Sequence, residues 1–139
     1  LATDTLSPEV AVQEFDRFVE LWDIDGEVES MDEDSRDGFE DHKRRLVRGL
    51  RRGSVTIDEE GSVTIQLRWP KMESVTEVVC KPPGGDAMLS WDKYKDRQQV
   101  HKLNSFLGSM CGQNPVVFAR MDARDLKTVQ AIALLFLAS

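Results

Sequence analysis

The chain has two cysteines and two histidines among its 139 residues. Cys80 and Cys111 stand far apart with no CxxC or CxxxC spacing, which points to neither a disulfide framework nor a zinc knuckle. Reduced thiols in a cytosol are expected. His42 lies in a run of basic residues and His101 in QQVHKLN, where polar positions on helix faces are the simplest reading, and no spacing joins either to a cysteine as a nucleophile and base. Long apolar runs are missing too. The longest, Ala131 to Ala138, falls well short of the roughly 20 residues a membrane span needs. LATDTLSPEV has neither the basic start nor the apolar centre of a signal peptide, so a soluble protein is expected. PPGGD, residues 82–86, has the glycines of a tight turn but no Lys, Ser or Thr in P-loop positions, which argues against nucleotide binding there. No cofactor, metal or catalytic constellation emerges, and a non-enzyme is expected.

Charge is plentiful but uneven. Residues 1–41 carry 15 acids against Arg17 and Arg36, residues 42–52 carry six Lys and Arg, and residues 53–139 balance, giving the net −7. The basic run HKRRLVRGLRR thus follows an acidic block that would screen it from a distant polyanion. Three readings of Arg44, Arg45, Arg48, Arg51 and Arg52 stay open: a solvated face that meets the acidic segment, a protein-binding surface, or a nucleic-acid contact. The aromatics that a single-strand binder interleaves with its cations are missing from the run, which makes nucleic acid the least favoured.

Hydrophobic periodicity predicts α+β architecture: a small three-stranded antiparallel sheet packed by N-terminal helices and a C-terminal helical cluster. Residues 1–53 form a helical segment with an acidic loop, and 54–139 a β-meander with a helical C-terminal region, the whole expected as one unit. Ser7 and Pro8 open a first helix with Ala11, Phe15, Phe18 and Trp22 on one face, beside Val19. DIDGEVESMDEDSRDG reads as a surface loop. Asp23, Asp25 and Gly26 fit part of a calcium loop, but Leu21 occupies the first ligand position and Asp32 the twelfth, so the loop fails as a site. From Ser35 a second helix places Phe39, Leu46, Val47 and Leu50 inward and stops at Gly53.

Alternation then predicts strands through Val55 and Ile57, through Val63, Ile65, Leu67 and Trp69, and through ESVTEVVCKP. A short helix is expected over Ala87–Lys95, capped by Asp86 and bearing Met88, Leu89 and Trp91. A longer one carries Val100, Leu103, Phe106, Leu107 and Met110 to a stop at Gly112. Asp122 and Asp125 take the N-cap and third positions of a last helix. Its end, AIALLFLA, is apolar on nearly every side, and both a central core position and an interface stay open for it.

Two stretches carry a resemblance. VTIQLRWPKMESVTEVVCKPPGGDAML and FLGSMCGQNPVVFARMDARDLKTVQAIALLFL resemble the tail assembly chaperone families of long-tailed bacteriophages. The matching positions are Pro70, Val75, Thr76, Glu77, Pro83, Asp86, Met121, Asp122, Asp125, Leu126, Phe136 and Leu137, within residues 62–137. The first 53 residues depart from that pattern. The resemblance implies a non-catalytic phage or prophage protein of the bacterial cytoplasm that binds the tape measure protein during tail assembly, with no cofactor, no membrane, and homo-oligomerisation possible. A nucleic-acid-associated regulator using residues 42–52 and a structural tail subunit are the alternatives. The client surface expected here is Leu126, Val129, Ile132, Leu135, Phe136 and Leu137 of the last helix, with Trp91 and Phe118 as anchors.

Overall fold

The fold is given by a computed structural model, which describes residues 5–24, 32–85, 87–88 and 99–137. It is α+β, as the periodicity predicts. Five helices are described, α1 (Pro8–Leu21), α2 (Glu33–Arg52), α3 (Gln99–Cys111), α4 (Val116–Arg120) and α5 (Ala123–Leu137), with strands β1 (Val55–Ile57), β2 (Val63–Gln66) and β3 (Glu77–Cys80). The sheet is antiparallel in the order β1-β2-β3, with Val55 opposite Ile65 and Val63 opposite Cys80.

Local chemistry sets the element ends. The Ser7 hydroxyl accepts the Val10 N–H at 3.3 Å, and Pro8 follows it at the first helical position, where its missing N–H costs nothing. The acidic stretch before the basic run is partly helical rather than all loop. Asp32 caps α2 by accepting the Ser35 N–H at 2.7 Å, and Glu33 and Asp34 sit in the first turn, where the helix dipole favours negative charge. The capping geometry gives these acids a place in the helix that apolar periodicity could not reveal. α2 ends at Gly53 with φ 80°, a left-handed stop that glycine adopts without strain.

The β1–β2 turn is built on Asp58, whose Oδ1 accepts the N–H groups of Glu60 and Ser62, both at 2.9 Å. α1 holds that turn from outside. Arg17 donates to the carbonyls of Ile57 at 2.7 Å and Asp58 at 2.9 Å, and the Trp22 indole N–H donates to the carbonyl of Gly61 at 2.7 Å.

α2 is the central helix and packs against α1, β1 and α5. Residues from both halves of the chain enter one hydrophobic cluster: Phe15, Phe18 and Trp22 of the first helix, Phe39, Leu46 and Leu50 of the second, Val55, Val63, Ile65 and Val78 of the sheet, and Val129, Ile132 and Leu135 of the last. Phe15 meets Phe39 edge-on with centroids 6.2 Å apart, and Trp22 meets Phe136 edge-on at 6.3 Å, so aromatic pairs tie α1 to both α2 and α5. No helix among the described residues is long and apolar enough to cross a membrane.

Candidate binding groove

The expected client surface on α5 is largely interior. Val129 and Ile132 are 0 % exposed, Leu135 is 1 % exposed, and the proposed anchor Phe118 is 0 % exposed. Leu126, Phe136 and Leu137 are half-buried and packed against the core, Phe136 through its contact with Trp22. The apolar end of α5 is therefore mostly core: α2 packs on α5, Trp22 meets Phe136, and the hydrophobic effect is already spent within the fold. Trp91, the Asp86 cap and all of the short helix expected around Trp91 but Ala87 and Met88 lie outside the described residues. The most exposed large apolar side chains described, Val10, Leu21, Met88 and Val116, are spread over three separate stretches.

A different constellation forms instead. Arg45, Arg48 and Arg52 from one face of α2 meet Arg68 and Trp69 from the exit of β2 and Arg124 from the first turn of α5, around an open groove of about 220 Å³. Ser54, Ile65, Gln66 and Thr128 complete its lining with Gly49 and Asp125.

One carboxylate creates this meeting. Asp125 is buried, and its two oxygens accept the backbone N–H groups of Arg68 at 3.0 Å and Trp69 at 2.9 Å. Expected as a capping residue, it instead bonds across the molecule just beyond the strand: Val63, Ile65 and Leu67 are buried as expected, but the strand ends at Gln66. Trp69, expected on the same apolar face, lies half-buried at the groove. The Arg124 guanidinium stacks 3.8 Å from the centroid of its ring and the Arg68 guanidinium sits 5.1 Å away. Arg124 is held in place by Asp122, whose Oδ1 accepts from its Nε at 2.9 Å and whose Oδ2 accepts from its Nη2 at 3.1 Å. That pairing, the Arg124 backbone N–H and nearby Lys71 hold the Asp122 carboxyl well below the usual carboxylate range.

The basic helix thus divides its charge. Arg44 pairs with Asp41 at 3.1 Å, and Lys43 lies 5.5 Å over the Phe15 ring. Arg51 is half-buried, and its carbonyl accepts the Thr5 N–H at 2.6 Å. Arg45, Arg48 and Arg52 have no carboxylate partner among the described residues. Sequence reading found these three arginines but not their companions. Arg68, Trp69 and Arg124 looked like a strand face and a helix start, and nothing in local pattern joins them to α2.

The two cysteines also come together. Their sulfur atoms lie 2.9 Å apart, Cys80 fully buried on β3 and Cys111 partly open at the end of α3. The contact with Cys111 and burial push the Cys80 thiol well up. Cys111 also lines a shallow depression of about 500 Å³ with Val79, Pro82, Pro83 and Met110. Among the described residues no three His, Cys, Asp or Glu side chains converge as metal ligands do.

Searches against protein-family models, curated proteins and solved structures returned no match for this chain.

Proposed function

We propose that this protein is a tail assembly chaperone of a long-tailed bacteriophage or prophage, a non-catalytic protein that binds the tape measure protein in the cytoplasm of the bacterial host while the tail is built. The observation that supports this reading is the bond between the two stretches that carry the resemblance. Asp125 of MDARD grips the backbone of RWP at Arg68 and Trp69, 57 and 56 residues away in sequence. Two motifs that look like ordinary strand and cap grammar thereby become one structural unit, which gives a reason for their occurring together and in that order.

With the apolar face of α5 inside the core, client contact falls to surfaces beyond it. The acidic net charge of −7 keeps a loaded complex soluble. The test is co-expression with the product of a neighbouring reading frame that encodes a very long helical protein. Co-purification, and loss of that product to the insoluble fraction when the chaperone is omitted, is the expected result. A folded chaperone that leaves the long protein's recovery unchanged and does not co-purify with it would sink the reading. Presence in purified particles would favour a structural tail subunit instead.

A further inference from the structure

We propose that the arginine groove between α2, the exit of β2 and the start of α5 is a docking site for an acidic helical segment of a protein partner. The inference does not depend on the tail-assembly reading, since the groove would recognise such a helix whatever protein carried it.

Charge is the first argument. In a chain of net charge −7, folding brings five arginines from three elements into the lining of one groove of about 220 Å³. Like charges brought together repel, and the fold neutralises only part of this cluster. Arg124 has Asp122, whereas Arg45, Arg48, Arg52 and Arg68 face no carboxylate partner among the described residues. Asp125, the acid in the lining, has both oxygens committed to backbone N–H groups. Among the described residues the requirement for carboxylates or other oxyanions is unmet.

Spacing gives the second. Arg45, Arg48 and Arg52 follow steps of three and four on one helix, which separates them along the axis by about 4.5 and 6 Å at 1.5 Å per residue. A partner helix with glutamates at the same steps has the same rises and can meet every arginine in turn. An extended chain repeats on one face about every 6.6 Å and drifts out of register across the row. The neighbouring depression along α2, lined by Asp41, Arg44, Arg45 and Arg48, continues the same track.

A nucleic acid fits less well. Single-strand binders offer open aromatic faces for bases, but a face of Trp69 is covered by Arg124 at 3.8 Å. The negative charge of the remaining chain opposes a long polyanion while tolerating a short acidic segment at close range.

The experiment uses the full chain and fluorescence anisotropy. The probes are a labelled Ala-rich helical peptide with Glu at steps of three and four, a scrambled peptide of equal composition, a peptide with Lys replacing each Glu, and single- and double-stranded DNA oligonucleotides. Saturable binding of the ordered acidic peptide is expected, weakened at least tenfold by scrambling and by the double variant Arg48→Glu/Arg52→Glu. Binding of the Lys peptide should appear in that double variant, which shows that it has folded with its groove intact. Lys81→Glu, beyond β3, should leave binding as it is. Equal binding of the scrambled peptide, indifference to the charge reversals, or tighter binding of either oligonucleotide through the same arginines would each overturn the proposal. Peptide binding without co-purification of a long helical protein would count against the chaperone reading and leave the groove standing.

Discussion

Asp125 shows how much one side chain can organise. It is buried at the lining of the groove, and both of its oxygens accept backbone N–H groups. Asp125→Ala should therefore cost roughly 2–4 kcal/mol, because two N–H groups lose charge-assisted partners at once. Asp125→Asn keeps one acceptor and should recover part of that loss. Urea unfolding of the three proteins checks the order, and equal midpoints would refute it. The same substitution should loosen the groove, since Trp69 and Arg68 are positioned through their backbone.

The thiol pair belongs to the same scale. With the sulfurs 2.9 Å apart, oxidised glutathione should cross-link them: the more open Cys111 thiolate attacks the disulfide and releases one glutathione thiol, then Cys80 displaces the second. The expected outcome is a protein lighter by two hydrogens that no longer takes up iodoacetamide at either position. A stable glutathione adduct on Cys111 would show that the sulfurs do not meet in solution. Nothing in the local pattern pointed to this contact, because separation along the chain says nothing about which strand and helix end will be neighbours.

At the scale of elements, α2 carries the greatest demands. Its inward face packs on α1, β1 and α5, and its outward face supplies three arginines to the groove. Gly49 makes the approach to β1 possible, because a Cβ there would lie 2.5 Å from Cγ2 of the buried Val55. Alanine would add helix propensity of about 1 kcal/mol, against an overpacking cost of about 1–3 kcal/mol in a site with little slack. Gly49→Ala should be net destabilising, and Val55→Ala in the same chain should relieve the clash. A double-mutant cycle by thermal unfolding measures that coupling, and strict additivity would argue that the helix and strand stand further apart.

Across the whole molecule, the two N-terminal helices are part of the same core as the rest. Phe15, Phe18, Trp22, Phe39, Leu46 and Leu50 are buried against residues of the sheet and α5. A chain starting at residue 54 would leave Ile65, Val129 and Ile132 facing water, and it should show no cooperative thermal transition. Far-ultraviolet circular dichroism checks this, and a sharp transition in the shortened chain would mean that residues 54–139 form a core unaided. The N-terminal helices, which lie outside the stretches that carry the resemblance, thus do structural work here and also supply α2 to the groove.

Periodicity and caps alone determined the four longer helices, the three-stranded sheet and most of the inward faces, because a buried stripe must repeat at 3.6 or 2 residues wherever the element goes. Local pattern even placed the apolar end of α5, while leaving open whether chain or partner would cover it. The tertiary structure decided that the chain itself covers it, since burial depends on which surfaces meet. It also decided that Asp125 reaches across to Arg68 and Trp69, that two distant thiols touch, and that arginines from three elements share one groove. Each is a contact between residues far apart in sequence, set by how the elements pack and not by the preferences of any one of them.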